Sequence, residues 1–330
     1  MIITSVSERI GGSSMDLVVS DTSSSAVSVL PTLDLRDLVD RWTRYLDVSP
    51  ISVRAYTTHV RLFLFWLAKN GINQPTREDI IAFRDSLKAA HRPSTIHGYM
   101  VAIRLFFQFL EVSGVYRNVA LHIKSPKLEK GFRRDYLTSD QSKSLLATCD
   151  EPKNVELALR DRAILSVMLT TGLRTVSIIN ADYGDIGTVG DCSALRYLGK
   201  GHNEKNVFAK LTAPVEHAIR KYLAVRGEVR ENDPLFASVS NRHKGGRLTT
   251  RSLRRIIKNR LKNIGIDTRR VSAHSLRHTA ATLNLLAGGT LEETQQLLDH
   301  KALTTTQIYA HHLSRVKNQS EQRVSDLIFG

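Results

Sequence analysis

Residues 274–283 read HSLRHTAATL, a stretch that sets two histidines around an arginine at the start of a predicted helix. His274 and His278 are four residues apart, the spacing at which two imidazoles on one helix face can hold one zinc ion. His274 and Arg277 are three apart, the spacing at which two donors can grip one phosphate. The stretch alone therefore leaves three alternatives open: a metal site, a phosphate site, or no site of either kind.

The sequence around the stretch favours phosphate over zinc. A zinc-protease helix needs a glutamate directly after its first histidine as general base, and this chain has Ser275 there. A third ligand at the matching spacing is also missing. We therefore expect no metal and no other cofactor.

Composition and charge limit the classes of protein to which this chain can belong. The chain has 330 residues, 42% of them hydrophobic, which is enough for a proper core and for two domains. Its net charge of +15 gives it a long-range preference for polyanions, of which nucleic acid is the commonest inside cells. Charge does not separate DNA from RNA or from an acidic membrane surface, and a basic housekeeping enzyme stays an alternative.

The sequence predicts a cytoplasmic, nucleoid-associated protein. No apolar run approaches the roughly 20 residues that cross a bilayer, and acidic and polar residues interrupt the N-terminal segment where a signal peptide would be apolar. Cys149 and Cys192 stand in no metal or redox spacing, which favours a reducing compartment.

The first half of the chain predicts a helical domain behind a flexible tail. Residues 1–31 are rich in Ser, Val and Gly and lack sustained periodicity, which is typical of a mobile tail. Apolar stripes then recur at helical spacing through a domain at 32–123, and its aromatic residues follow that spacing as core residues do. The helices are predicted over 33–46, 53–71, 77–90 (entered at Thr76) and 94–114. The core aromatics are Phe63, Trp66, Phe106 and Phe109.

A basic segment at 124–135 predicts an interdomain linker, and a linker that also touches the DNA backbone is the alternative. A second domain at 136–315 follows, mainly helical with one small β-hairpin at 193–211. One of its helices, at 249–265, has an apolar face and a basic face, and the basic face is either solvated or in contact with DNA. The candidate DNA-binding residues are Lys127, Lys130, Arg133, Arg134, Arg251, Arg254, Arg255 and Lys258.

Further polar residues lie at the ends of elements in the second domain. Arg174 follows a helix that ends at Gly172, and Lys200 stands between two glycines at the hairpin tip, where a chain can approach another backbone closely. His300 ends a short helix capped by Thr290 with Glu293, and Tyr309 lies on another, predicted to be capped by Thr304 with Gln307.

This set suits attack on a phosphodiester. Fixed guanidinium groups stabilise the charge that develops on the nonbridging oxygens, and with that much positive charge a metal ion becomes unnecessary. A tyrosine can be the nucleophile, and a lysine can protonate a 5′-oxygen leaving group. Each residue singly is more often structural, so the prediction depends on the ensemble.

The segments TTGLR, LGKG, HSLRHTAATLNLLAGG, LLDH and TTTQIYAHH resemble the signature boxes of the tyrosine recombinase, or phage integrase, family. The resemblance covers residues 138–312, and the helical region 33–121 is similar to the family's core-binding domain. It implies a mainly α, two-domain DNA clamp, with a helical SAM-like domain and a mixed α/β catalytic domain. It also implies a tetramer on paired double-stranded recombination sites, and leaves accessory DNA-bending or directionality proteins open.

The resemblance also implies roles for six residues. Arg174, Arg277, His274 and His300 would bind and activate the scissile phosphate. Tyr309 would be the nucleophile that forms a 3′-phosphotyrosyl bond, with His274 as its proton acceptor. Lys200 would be the general acid on the leaving 5′-hydroxyl.

Two positions depart from the family pattern. The family often has an acidic residue three after the first arginine, where it orients that arginine, and this chain has Ser177. We expect Asp182 or Asp185 to give that support instead. The glycine that usually precedes the last histidine is Asp299 here, which changes the local support of the site.

The resemblance leaves the biological outcome open. Integration or excision of a mobile element is the favoured function, and an Xer-like chromosome or plasmid dimer resolvase is the alternative. A type IB topoisomerase or a telomere resolvase would use the same chemistry, and a DNA-binding accessory protein without catalysis belongs to another class. The tail at 316–330 ends in apolar residues that either pack on their own domain or, as we prefer, dock in a neighbouring subunit.

Overall fold

The computed structural model describes residues 2–3, 16–17, 19–20, 33–128, 135–150, 154–199, 204–241, 243–300 and 302–330. The chain divides into two compact units, residues 1–130 and 131–330. Most of the predicted tail at 1–31 and residues 129–134 of the predicted linker lie outside the described residues. No helix in the described ranges is long and apolar enough to cross a bilayer.

The first unit combines two short strand pairs with four helices. β1 (Ile2–Ile3) pairs antiparallel with β3 (Val19–Ser20), and β2 (Asp16–Leu17) pairs antiparallel with β4 (Leu33–Asp34). The helices are α1 (Leu35–Tyr45), α2 (Pro50–Lys69), α3 (Arg77–Ser86) and α4 (Pro93–Val112). A 3-10 turn, Leu87–Ala89, extends α3.

Local capping sets where the helices of the first unit begin. Thr76 caps α3 in a reciprocal box with Asp79, as its position before the helix predicted. α2 starts at Pro50, three residues before the predicted start, because Ser49 caps it and proline is preorganised for the first helical position.

The core of the first unit is aromatic, as predicted. Phe63, Phe106 and Phe109 are buried and Trp66 is half-buried. Trp42 on α1 meets Phe106 on α4 edge to face at 5.4 Å, an arrangement that aromatic quadrupoles favour. These aromatics therefore hold the helices together and are not base-stacking platforms.

The second unit contains the remaining nine helices of the described residues and one sheet. The helices are α5 (Ser139–Ala147), α6 (Val155–Thr171), α7 (Thr175–Ile179), α8 (Ala213–Arg226), α9 (Thr250–Asn263), α10 (Ala273–Leu286), α11 (Leu291–Leu298), α12 (Leu303–Lys317) and α13 (Ser320–Phe329). A 3-10 turn, Tyr183–Asp185, precedes the sheet. Side chains are described throughout these helices except at 311–317.

The sheet is larger than the predicted hairpin. It is antiparallel in the order β5 (Ile186–Val189), β6 (Cys192–Tyr197), β7 (Val207–Lys210), with Ile186 opposite Leu195 and Tyr197 opposite Val207. The prediction of two strands missed β5, whose four residues include a glycine and alternate too briefly to signal a strand.

α6 lies at the centre of the second unit. Ala163, Ile164, Leu165 and Val167 are fully buried, and α6 packs against α8 and α10. Since it is covered on several sides, its sequence lacks the one-sided stripe of a surface helix. It begins at Val155, because Asn154 caps it through the amide of Leu157.

A buried ion network ties α6 to α9. The Asp161 carboxylate accepts from Arg160 at 2.7 Å and from Arg260 at 2.8 Å, and Arg160 also donates to the carbonyl of Ala237. Each buried charge thus has an opposite partner and hydrogen bonds.

Of the two predicted caps in the second domain, one is present and one is not. Thr290 and Glu293 form the predicted reciprocal box, and Thr138 and Gln141 form another at the start of α5. The predicted box of Thr304 with Gln307 is wrong. α12 begins at Leu303 after Ala302, with no side-chain cap, so Thr304 already lies inside the helix.

Candidate active site

Arg277 on α10 is fixed by the ends of two other helices. It is 3% exposed, and its guanidinium donates to the carbonyl of Gly172 at 2.7 Å and to the carbonyl of Leu298. These carbonyls belong to the C-terminal ends of α6 and α11, where the helix dipole favours a cation. Burial lowers the pKa of Arg277 to about 10, so it keeps its charge at neutral pH.

Gly172 makes this arrangement possible. It ends α6 in the left-handed conformation at φ +63°. A Cβ there would lie 2.7 Å from Cδ2 of Leu298 and 3.4 Å from Cβ of Ala280. Because the reversal at Gly172 is tight, Arg174 two residues later becomes the N-cap residue of α7 and faces the same site as Arg277.

Arg174 takes its acidic partner from an unexpected position. Oδ2 of Asp299 lies 3.6 Å from a guanidinium nitrogen of Arg174. The expected support from Asp182 or Asp185 is not formed. Asp182 pairs with Lys205 and Arg247, and Asp185 pairs with Lys205. Those two carboxylates therefore bind basic side chains just before the start of β5 and do not orient Arg174.

Tyr309 on α12 is buried against α10 and α11. Its side chain packs with Ala281 and Leu298 and is 4% exposed. The hydroxyl lies 2.7 Å from Nδ1 of His278. Burial raises the pKa of Tyr309, while the charges of Arg277 and Arg174 act in the opposite direction.

The resemblance implies His274 as the proton acceptor of Tyr309, and the Tyr309 hydroxyl is in hydrogen-bond contact with His278. Four residues advance a helix by slightly more than one turn, so His278 lies one turn further along α10 than His274. His274 is exposed on the open side of the site, and the two rings meet edge to face with centroids 4.6 Å apart.

His300 lies between α11 and α12. Its Nδ1 is 3.0 Å from the hydroxyl of Thr306, and its backbone carbonyl accepts from the Gln295 side chain at 2.8 Å. Burial lowers the pKa of His300 to about 4, and the charges of Arg277 and Arg174 add to this. At neutral pH the ring is therefore uncharged. The contact is compatible with the tautomer in which Nδ1 accepts from Thr306 and Nε2–H is a neutral donor.

Tyr197, at the end of β6, was missed by the sequence analysis. Burial raises its pKa to about 12, with an added effect from Asp299 and opposing effects from Arg277 and Arg174. Tyr197 is therefore within electrostatic reach of both arginines. A single tyrosine in a strand gives no signal of this kind in a sequence.

An open cleft connects the arginines to α9. Of the four DNA-binding candidates on α9, three line it, and Arg251 is exposed outside that lining. Lys258 also pairs with Asp267 at 2.7 Å, so part of its charge is already compensated. Arg269, which was not predicted, lines the same cleft. The basic and site residues lining the cleft are Arg174, Arg254, Arg255, Lys258, Arg269, His274 and Arg277.

The remaining candidates are placed apart or not described. Lys127 is exposed at the end of the first unit. Lys200, Lys130, Arg133 and Arg134 lie outside the described residues. Within the described ranges, no three His, Cys, Asp or Glu side chains are grouped so that they could hold a metal ion.

Family models match both halves of the chain. The phage integrase family matches residues 135–315, and the phage integrase N-terminal SAM-like domain matches residues 39–114. The chain therefore belongs to the phage integrase family, as its sequence motifs predicted, and is a tyrosine site-specific recombinase.

Named relatives and solved structures agree with this. Tyrosine recombinase XerC of Pelobacter propionicus is 34% identical over 271 residues, covering 80% of this chain and 86% of the relative. Tyrosine recombinase XerD of Listeria monocytogenes is 29% identical over 295 residues, covering 84% of this chain and 94% of the relative.

The solved structures show the same fold. XerH recombinase bound to its palindromic difH substrate in a post-cleavage complex has a TM-score of 0.68 at 20% identity, covering 88% of this chain and 83% of XerH. A lambda integrase tetramer bound to a Holliday junction has a TM-score of 0.64 at 17% identity, covering 88% of this chain and 78% of the integrase.

Proposed function

We propose that this recombinase cleaves and rejoins DNA strands through a covalent 3′-phosphotyrosyl bond on Tyr309. The observation that carries the proposal is the position of the Tyr309 hydroxyl. It contacts an imidazole at 2.7 Å and lies within the field of two arginines. One cluster of side chains thus contributes a nucleophile, a proton acceptor and cations for a phosphate.

The phosphate would be bound by Arg174 and Arg277, with His274 and His300 as further donors. Arg277 is held rigidly by two carbonyls, so it need not reorganise when charge develops on the nonbridging oxygens. A neutral His300 donates a hydrogen bond without adding charge to the crowded cationic site. His274 is exposed on the cleft, where DNA would enter.

We assign the proton of Tyr309 to His278. In the cleavage step the tyrosine oxygen attacks phosphorus, the bond between phosphorus and the 5′-oxygen breaks, and the phenolic proton passes to Nδ1 of His278. Lys200, assigned from the resemblance alone, would protonate the leaving 5′-oxygen. Rejoining reverses these transfers, and since the phosphotyrosyl bond conserves the energy, the proposed reaction uses no cofactor.

Double-stranded DNA is the proposed partner. The net charge of +15 and the basic cleft support this, and so do the similar solved structures of XerH on its difH substrate and of lambda integrase on a Holliday junction. We propose that residues 32–123 and 136–315 contact DNA together, joined by the basic segment 124–135, and that four copies act on paired sites. The protein would then work in the cytoplasm, at the nucleoid.

The exposed end of α13 supports assembly. Leu327 is 88% exposed and Phe329 is 84% exposed, and Val324 and Ile328 are also exposed. This exposure favours docking elsewhere over packing on the same domain. We propose that it docks on a neighbouring copy in the tetramer, because an apolar helix face gains most by leaving water.

We favour integration or excision of a mobile element as the biological role, with accessory proteins open. A second candidate, resolution of chromosome or plasmid dimers, is favoured by the relatives named XerC and XerD. Both use the same chemistry and differ in the sites joined.

A plasmid assay tests the proposed function. Sites would first be selected with the wild-type protein from randomised duplexes and cloned as a pair in a supercoiled plasmid. We expect recombination to delete the plasmid segment that lies between the two sites. Relaxation of a plasmid without any site would indicate a topoisomerase instead, and binding without strand exchange would indicate an accessory protein. The selected sequence, compared with the DNA flanking the gene and the replication terminus, distinguishes the two roles.

A further inference from the structure

This chain lacks the acidic residue that often orients the first arginine of the family pattern, so another residue must orient Arg174. Ser177 stands three residues after Arg174, where the family often has an acidic residue. It is 5% exposed in α7 and supplies no charge. A long side chain such as arginine has many rotamers, so without a fixed partner it would spend little time in one productive geometry.

Asp299 offers the missing carboxylate from another helix. Its Oδ2 lies 3.6 Å from Arg174, and its backbone carbonyl lies 3.5 Å from the other terminal nitrogen of the same guanidinium. Side chain and backbone of one residue therefore approach both nitrogens. Since Asp299 directly precedes His300, one short segment supplies both the partner of Arg174 and another candidate site residue.

The backbone of Asp299 shows that an aspartate here is not the conformationally easiest choice. It adopts φ +48° and ψ +53°, the left-handed conformation, as the C-cap residue of α11. Among the described residues, His122 is the one other non-glycine residue with positive φ. A glycine would adopt this conformation without strain, whereas an aspartate does so at some cost.

The local charge balance gives the carboxylate a function. Arg174 and Arg277 are close enough that the charge of Arg174 lowers the pKa of Arg277, while the charge of Asp299 acts in the opposite direction. Before DNA binds, a carboxylate that interacts with both arginines offsets their mutual repulsion. Both approaches are long and the pair is partly exposed, so a phosphate can still reach the Arg174 guanidinium.

We propose that Asp299 is the positioning residue for Arg174, replacing the carboxylate absent at Ser177. The inference rests on the proposed function, since it gives Arg174 a phosphate to bind. A long and partly exposed ion pair adds little to folding stability. The consequence of losing it should therefore appear in the rate of cleavage and not in the melting temperature.

The test compares Asp299→Asn and Asp299→Gly with the wild type. Asparagine keeps the size and tolerates the left-handed backbone, and glycine removes the strain together with the side chain. We expect single-turnover cleavage of a nicked substrate at saturating DNA to fall roughly ten- to hundredfold in both variants, because a mobile arginine loses its alignment. DNA affinity should stay close to wild type, and the melting temperature should not fall in either variant.

A second-site rescue separates this role from a merely structural one. Ser177→Glu in the Asp299→Asn background should recover much of the lost rate, because it returns a carboxylate three residues after Arg174. Ser177→Gln in the same background is the matched control of equal size without charge and should recover none. Melting temperatures of both double variants establish that they fold.

The outcomes decide the inference. Wild-type or faster cleavage by Asp299→Asn or by Asp299→Gly would overturn it, since the carboxylate would then be a bystander or a competitor of the phosphate. Equal rates for folded Glu and Gln double variants would also overturn it. If the wild type itself forms no adduct beyond that of Tyr309→Phe, the proposed function fails and the inference fails with it.

Discussion

His278 and Tyr309 form the contact on which the proposed proton transfer depends. They are 31 residues apart in the chain and 2.7 Å apart in space. In the sequence, His278 is recognisable only as a possible zinc ligand, because spacing within one helix is visible in a sequence and a contact between two helices is not. The residue types at the site were predictable, whereas the pairing between them depended on how α12 packs on α10.

His278→Gln should slow cleavage roughly 10²–10⁴-fold, the usual cost of losing a general base. Its rate should recover partly at alkaline pH, where hydroxide can remove the proton instead. Since burial raises the pKa of Tyr309, that recovery should begin only well above neutral pH. The measurement is the pH dependence of single-turnover adduct formation.

His274→Gln is the matched control, because it removes the neighbouring imidazole without touching the hydrogen bond to Tyr309. The fold-loss of rate in His274→Gln relative to the wild type should stay constant as the pH is raised, without the alkaline recovery expected of His278→Gln. An alkaline recovery in His274→Gln and none in His278→Gln would reverse the assignment.

Gly172 is a residue where both backbone and space require glycine. Gly172→Ala should destabilise the fold by about 1–2 kcal/mol through its positive φ and by about 1–3 kcal/mol more through overpacking against Leu298. Gly190→Ala is the control, since Gly190 has φ +57° and open space around its missing Cβ. Chemical denaturation measures both, and equal losses would show that the close contact with Leu298 is relieved cheaply.

At the scale of elements, local signals were predictive and non-local ones were not. The end of α6 at Gly172 and the box of Thr290 with Glu293 depend on residues within one turn, so the sequence analysis found them. β5 is held by pairing with β6, and the contact of Asp299 with Arg174 joins the end of α11 to the start of α7. Such contacts depend on packing between elements, for which one sequence carries no direct signal.

The junction of α11 and α12 should make stability depend on pH through His300. Its pKa is about 4 when folded, against an ordinary value of 6.5. Between these values the unfolded chain binds more protons, so stability should fall as the pH is lowered through this window. The wild type should lose more stability between about pH 7 and pH 5 than His300→Gln does, measured by urea unfolding. Equal losses would contradict the low pKa.

At the scale of the whole molecule, α13 should couple catalysis to assembly. Deleting residues 321–330 removes the exposed apolar end and should impair recombination of paired sites much more than binding to one site. The double substitution Leu327→Ser with Phe329→Ser is the matched control that keeps the chain length, and it should act like the deletion. Equal loss of binding and recombination, or loss of neither, would count against docking on a neighbouring copy.

The most direct test of the central claim is trapping of the covalent intermediate. Wild type and Tyr309→Phe would be incubated side by side, without magnesium, with a nicked substrate that loses a short fragment after cleavage and cannot be rejoined. The proposed function predicts a protein–DNA adduct on a denaturing gel with the wild type, and none with Tyr309→Phe despite equal DNA binding. An adduct of similar yield with Tyr309→Phe would contradict it, because the nucleophile would then be another residue.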